Sequence, residues 1–135
     1  MKNIHLLIII LAFSCDIDKN IIQGNWVVDG AYINDSKLQW DLLDNMISLK
    51  GDGVCRLPLV RFQDRGTNKE LGTWDSFTKN DSVFLDIHSR NEVFGKLFYV
   101  EYLKKVESTE VKGYFGYKMK LRRDSLTFVC SKLAL

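Results

Sequence analysis

Apolar and polar residues alternate with a period of two over short stretches of this chain, and turn-forming residues separate the stretches. The clearest case is residues 46–60, where Ile47 and Leu49 precede the turn at Asp52 and Gly53 and the alternation then resumes. Such a pattern around a glycine-rich turn is typical of a β-hairpin. The pattern recurs in six further stretches: 24–33, 72–77, 83–88, 96–103, 113–122 and 126–132. About eight short strands are therefore predicted, which favours an all-β barrel or sandwich.

Two stretches depart from simple alternation. After the polar residues 34–36, Leu38, Leu42 and Leu43 fit one face of a short helix that would follow the first strand. In residues 96–103, aromatic side chains fall on both faces of the predicted strand, so the pattern does not assign an inward face there.

The first fifteen residues have the parts of an export signal. Lys2 precedes an apolar run over residues 6–13, and the small residue Ser14 stands directly before Cys15. The run is shorter than the roughly 20 apolar residues that span a bilayer. Residues 12–15 resemble a bacterial lipobox, in which the cysteine is acylated and becomes the mature N-terminus. An ordinary secretory signal with a chance cysteine is the main alternative, and a cytosolic chain with an apolar first strand is a weaker one.

This interpretation divides the chain into three parts. Residues 1–14 are predicted to be a lipoprotein signal peptide, residues 15–22 a tether that begins at the lipidated Cys15, and residues 23–135 one folded domain. An acylated protein carries several fatty chains, which makes the anchor stable. We therefore expect an exported protein that a lipid holds at the bacterial cell envelope, facing the periplasm or the cell surface.

The net charge of the domain argues against one class of partner, nucleic acid. The chain has 19 Lys and Arg against 17 Asp and Glu, and loss of Lys2 with the signal leaves the domain nearly neutral. A nucleic-acid-binding domain usually has a strongly basic face, so nucleic acid is not expected as a partner. One basic cluster near the C-terminus alternates with apolar residues, as the solvent-facing side of a strand would: Lys118, Lys120, Arg122 and Arg123.

Catalytic and metal-binding patterns are weak in this sequence. His88 is the one histidine that remains after the signal, and its neighbours Asp86 and Ser89 would have to complete any triad. Asp86 and His88 lie on the parity opposite to the apolar residues of their strand, which indicates a solvent-facing pair. Paired-cysteine, paired-histidine and calcium-loop spacings do not occur. We expect neither enzyme activity nor a metal or other cofactor.

Cys55 and Cys130 are the two cysteines left beyond Cys15. In an oxidising compartment two such residues pair readily as a disulfide. Both also lie among apolar residues of their own parity, and cysteine is one of the most frequently buried residue types. A disulfide and two buried free thiols are therefore equal alternatives.

Four segments together resemble a known family. Gly24-Asn25-Trp26 has the Gly-x-Trp form that opens lipocalins, and residues 46–53, Gly72-Thr73-Trp74 with the strand after it, and the closing hairpin at 117–128 resemble small lipocalin-like lipoproteins of Bacteroidetes-type bacteria. The resemblance implies an up-and-down barrel of about eight strands. It also implies that Trp26 closes one end and that Arg122, or Arg123, lies over it. The sequence lacks a second lipocalin motif of the Thr-Asp-Tyr type, so a complete and an incomplete barrel are both open.

The function expected from this reading is binding. The first hypothesis is a small apolar or amphipathic ligand held in or at the barrel. Six residues would then line the ligand site: Trp74, Leu85, Ile87, Tyr117, Met119 and Phe128. The same side chains fill the core if no ligand enters. The alternative function is an interaction module for an envelope protein or glycan, with Phe84 and one face of Phe98, Tyr99 and Tyr102 as anchors.

Overall fold

The computed structural model describes residues 19–38, 44–59 and 68–133. These residues form one short helix and nine strands, of which eight are longer than two residues. Their bounds are α1 Lys19–Ile22, β1 Gly24–Ile33, β2 Ser36–Lys37, β3 Met46–Leu49, β4 Val54–Arg56, β5 Leu71–Lys79, β6 Ser82–Ser89, β7 Leu97–Glu107, β8 Phe115–Arg123 and β9 Leu126–Leu133. No helix in the described ranges is long and apolar enough to cross a bilayer.

The strands close into a complete antiparallel barrel. From β3 to β9 each strand pairs with its neighbour in the chain, and β1 pairs with β3 on one side and with β9 on the other. The two-residue strand β2 only extends the end of β1. The predicted all-β, up-and-down barrel of about eight strands is confirmed. Of the two alternatives left open by the sequence, a complete and an incomplete barrel, the structure has the complete one.

Two of the hairpins have tight turns with the same sequence, Asn-Asp. Asn34 and Asp35 have φ values of 49° and 66°, and Asn80 and Asp81 have 51° and 63°. Two successive residues with positive φ define the type I′ turn, whose twist matches that of the flanking strands. The predicted turn at residues 34–36 therefore continues into β2, and Leu38 donates its backbone N–H to the carbonyl of Ala31 at 2.8 Å. The remainder of the predicted helix, residues 39–43, lies outside the described residues.

Two β-bulges change which side chains face inward. In β1 the pairing with β9 skips Asp29, so Val28 faces the core while Ala31, and not Tyr32, is the next buried residue. Unbroken alternation from Trp26 and Val28 would place Tyr32 inward, and the bulge instead turns Ala31 toward the core. In β7 the pairing with β8 skips Glu101 in the same way. A bulge inserts one residue into one strand, and alternation then resumes on the other parity.

The barrel has two ends, which differ in the elements that cover them. We call the tether end the one that carries α1 and the connections at 50–53, 80–81 and 108–114. The far end carries the connections at 34–35, 90–96 and 124–125. Residues 19–22, placed in the tether by the sequence analysis, form α1, and Ile22 is fully buried in the core. The folded part of the chain therefore includes the last residues before β1.

Candidate functional site

Trp26 fills the barrel at the tether end. It is fully buried, and its indole N–H donates to the backbone carbonyl of Ile22 at 2.6 Å. The ammonium of Lys132 lies 4.7 Å from the Trp26 ring centroid. That ammonium also donates to the carbonyls of Ile21 and Gln23, the latter at 2.5 Å. One lysine therefore fastens the helix region to the last strand across the buried indole.

The residue over Trp26 is thus Lys132, where the family resemblance implied Arg122 or Arg123. Arg122 is exposed and donates to the carboxylate of Glu101 at 3.3 Å. The Arg123 guanidinium lies 5.9 Å from the Phe98 ring centroid. Both arginines come at the end of β8 and so lie toward the far end of the barrel, whereas Trp26 lies at the tether end. Burial lowers the pKa of Lys132 from its ordinary value.

The other side of α1 is held by an ion pair. Lys19 Nζ lies 2.8 Å from Asp75 Oδ1 and 5.1 Å from the Trp74 ring centroid. The hydrogen bond from Lys19 lowers the pKa of Asp75. The Trp74 indole N–H donates to the carbonyl of Lys50 at 2.8 Å. Contacts at both ends of the short helix therefore seat α1 across this end of the barrel.

An open groove of about 1230 Å³ lies beside α1. Its floor comes from the first residues of β1 and β8 and the last residues of β7 and β9, and the 108–110 segment forms one edge. Its apolar side chains are Ile21, Val27, Val106, Tyr117 and Leu133. These come from α1 and from four different strands, so only the closed barrel brings them together.

Two lysines are cross-strand neighbours on this groove, and the ammonium of one, Lys104, lies 4.7 Å from the Tyr102 ring centroid. Lys104 in β7 and Lys118 in β8 are directly paired in register, and both are exposed. Within the described ranges, no carboxylate lies within ion-pair distance of either ammonium. Glu107 and Glu110 also line the groove, and Glu107 accepts a hydrogen bond from the backbone N–H of Gly113. Like charges directly opposite on two strands are unfavourable unless an anion lies between them.

The six predicted ligand residues fall into two places. Trp74, Leu85, Ile87, Met119 and Phe128 all belong to the hydrophobic core and are at most 3% exposed. A side chain bordering a cavity large enough for water would keep accessible area there. These five therefore pack against protein atoms. Tyr117 is half-buried, and of the six it is the one that borders the groove.

Cys55 and Cys130 are buried free thiols in this structure, which is the second of the two alternatives given above. The two residues lie in different strands, β4 and β9, and no disulfide joins them. Burial raises the pKa of the Cys55 thiol to about 11. Burial also raises the pKa of Cys130, and the nearby Asp29 carboxylate adds to that shift. Both groups are protonated, weakly nucleophilic side chains at neutral pH.

The outer wall carries an aromatic row, which we define as Phe77, Phe84 and Tyr99. These residues are direct neighbours across β5, β6 and β7. The ring centroids of Phe77 and Phe84 are 5.3 Å apart, and those of Phe84 and Tyr99 are 5.9 Å apart. Phe98 is buried in the core, whereas Tyr102, beyond the Glu101 bulge, borders a separate outer pocket of about 210 Å³. The predicted anchors are thus split between the wall and the core.

The residues considered for catalysis, His88, Asp86 and Ser89, do not form a catalytic triad. His88 Nε2 lies 2.9 Å from Asp86 Oδ2 on the outer face. The Ser89 hydroxyl donates instead to the carbonyl of Leu71 at 2.7 Å, so it is not aligned with the imidazole. Among the described side chains, no group of three or more His, Cys, Asp and Glu residues has the arrangement of a metal site.

Comparison with protein-family models, with curated proteins and with solved structures finds no match for this chain. The described residues form a closed barrel with a packed core and an open groove beside α1. Tyr117 was predicted from the sequence as a ligand residue and borders that groove, whereas the pairing of the two lysines was not predicted. Lys118 lies in a predicted alternating strand and Lys104 directly follows another predicted strand, but their pairing depends on the register of β7 and β8.

Proposed function

We propose that this chain is a lipid-anchored, lipocalin-like binding protein of the bacterial cell envelope that holds an anionic amphipathic molecule in the groove beside α1. The observation that carries the proposal is the Lys104–Lys118 pair, which has no carboxylate partner among the described residues and lies in a groove with apolar side chains. An anionic head between the two ammonium groups would relieve their repulsion. An apolar tail would lie along Val27, Val106 and Leu133.

The position of the groove agrees with a membrane anchor. Cys15 is four residues before Lys19, and four extended residues reach at most about 14 Å. A lipid on Cys15 would thus keep α1, and the groove beside it, close to the bilayer. A ligand that partitions into membranes would be delivered to that end of the barrel.

The dimensions of the groove suit a single amphiphile. Its volume of about 1230 Å³ is slightly larger than the roughly 300–1000 Å³ of typical small-molecule pockets. Burial of a fatty chain stabilises a complex by roughly 25 cal/mol per Å² of apolar surface. The lysines then select for charge, since a neutral analogue of the same chain length would leave them without an anionic partner.

A fluorescent fatty acid tests this proposal directly. We expect dansyl-undecanoic acid to bind the purified protein with a rise in emission, and the double variant Lys104→Gln/Lys118→Gln to bind about tenfold more weakly. The methyl ester of the probe, which lacks the charge, should not distinguish the variant from the wild type. Lys37→Gln/Lys96→Gln, two exposed lysines toward the far end, is the matched control. Equal affinity of the groove variant and the control variant for the acid would contradict the proposal.

The aromatic row supports a second candidate function, the envelope interaction module. Phe77, Phe84 and Tyr99 place three adjacent rings on one wall, and aromatic side chains are frequent energetic centres of protein interfaces. A photo-crosslinking amino acid at Lys79, beside the row, should capture an envelope protein or glycan in cells, and Phe84→Ser should abolish that product. The groove double variant should leave the product unchanged if the wall acts independently of the groove.

A further inference from the structure

The connection between β7 and β8 is the most exposed aromatic segment of the described chain, and it projects from the tether end. We call residues 108–115 the hairpin tip. Within it Val111 is 50% exposed, Tyr114 is 63% exposed and Phe115 is 41% exposed. Exposed aromatic side chains together are costly in water and mark an interaction surface when they are not covered.

Cationic side chains accompany these apolar residues. Lys112 lies within the hairpin tip and is exposed. The ammonium of Lys105 lies 4.6 Å from the Phe115 ring centroid, so a charge and a ring are presented side by side. Lys50 and Lys79 are exposed next to the two shorter connections of the same end. The hairpin tip also contains Glu110, and Glu107, Asp52 and Asp81 are exposed at the same end, so acidic side chains offset the charge of these lysines.

The chain before α1 indicates what covers this surface. Lys19 begins α1 at the same end of the barrel, and Cys15, the predicted lipid attachment, is within about 14 Å of it along the chain. A bilayer that holds the lipid therefore lies opposite the hairpin tip. Tyrosine and phenylalanine beside lysine match the interface of such a bilayer, where rings enter the headgroup layer and ammonium groups meet anionic lipids.

We infer that the hairpin tip inserts Val111, Tyr114 and Phe115 into the headgroup region of an anionic membrane and so docks the tether end of the barrel on that surface. This inference rests on the lipid anchor of the proposed function, but it does not depend on a ligand in the groove. The lipid keeps the protein at the bilayer, and the hairpin tip fixes which end of the barrel faces it.

An environment-sensitive fluorophore reads this contact. In the full-length acylated protein, Cys55 and Cys130 are buried, so a cysteine introduced by Glu110→Cys can be labelled selectively with a nitrobenzoxadiazole probe. On vesicles with 30% phosphatidylglycerol we expect the emission to rise about threefold and shift to the blue. A probe introduced by Ser125→Cys, exposed in the far-end turn, should keep its aqueous spectrum.

A second variant identifies the side chains responsible. Tyr114→Ser/Phe115→Ser changes only exposed residues and should return the probe at position 110 to its aqueous emission while the protein stays folded and attached to the vesicles. Three results would overturn the inference: the same spectrum at positions 110 and 125, an unchanged shift in the double variant, or an equal shift on purely zwitterionic vesicles.

The failure of docking and the failure of the anchor give different results. If the anchor prediction fails, mass spectrometry shows Cys15 without fatty chains, and the wild type and Cys15→Ser float equally with vesicles. If docking alone fails, the acylated wild type floats with the vesicles and the probe at position 110 remains in water. Ligand binding in the groove is measured separately with the dansyl fatty acid.

Discussion

The two ends of the barrel are both closed by a buried aromatic side chain, but the two side chains are held in different ways. At the tether end Trp26 belongs to β1 and is covered by α1 and Lys132. At the far end Phe94 belongs to the connection at 90–96, and its ring stacks on Phe128 with centroids 4.8 Å apart. One plug is part of the wall, and the other is carried by a loop.

Asn91 fastens the far-end loop. The side chain is 1% exposed, and its amide N–H donates to the carbonyl of Pro58 at 2.9 Å. Its amide oxygen accepts the backbone N–H groups of Val93 and Phe94 at 3.1 and 3.0 Å. Three hydrogen bonds of one side chain thus hold the loop in place. The plug of the far end can therefore move with a loop, whereas the plug of the tether end can move only if β1 is disrupted.

Removal of each aromatic plug is expected to produce the largest effect. Trp26→Ala should lower the free energy of unfolding by about 5 kcal/mol and Phe94→Ala by about 3 kcal/mol, because a loop collapses around a lost side chain more readily than a strand does. Urea unfolding followed by circular dichroism measures both values. Tyr114→Ala, which removes an exposed aromatic side chain, is the control and should lower the free energy of unfolding only slightly. A larger loss for Phe94→Ala than for Trp26→Ala would reverse the comparison.

Replacement of the polar side chain that fastens each end should give the next largest decrease in the free energy of unfolding. Asn91→Ala leaves the carbonyl of Pro58 and two backbone N–H groups without their partner, and should cost about 2 kcal/mol. Lys132→Met should cost about 1 kcal/mol, since the carbonyls of Ile21 and Gln23 are half-buried and can turn to water. Hydrogen exchange should then accelerate at residues 91–96 in the first variant and at residues 21–26 in the second. Uniform acceleration along the chain would show that the two ends are not independent.

The smallest effect on stability is expected from ionisation of the buried thiols. Their alkylation also tests whether reagents enter the barrel at either end. At pH 8 the folded protein should react with iodoacetamide far more slowly than the urea-unfolded chain, since the pKa of Cys55 is about 11. The rate at Cys55 should rise about tenfold per pH unit as the thiolate population grows. Stability should fall as pH rises from about 9, where unfolded thiols ionise, toward 11, because the folded state then retains the protons. Peptide mass spectrometry assigns the sites, and rapid alkylation at pH 8 would contradict the burial of both thiols.

The strands were predictable because each one is short, alternating and bounded by turn residues. Asn80 and Asp81 specify their turn locally, and so do Asn34 and Asp35, which is why the hairpins follow from the sequence. The bulge at Asp29 was not predictable in this way. A bulge is defined by the partner strand, and β9 lies about 100 residues away in the sequence.

The candidate site was predictable only in part, for a related reason. Tyr117 lies in an alternating strand, so the sequence placed it in the barrel wall, and it borders the groove. Lys132 was missed because its role depends on two backbone carbonyls and a ring that come from the other end of the chain. Phe94 was missed because it lies in a connection, where no periodicity identifies a buried side chain. Long-range partners determine these residues, and a local pattern does not contain them.

The pairing of β1 with β9 also governs when this chain can become a folded protein. β1 begins at Gly24 and β9 ends at Leu133, so the barrel cannot close until β9 has been synthesised. Earlier than that, β1 and the newest strand present unpaired edges that favour aggregation. Pairing between strands so far apart in the sequence is slow to form, and the docking of β9 is therefore the step that completes the fold.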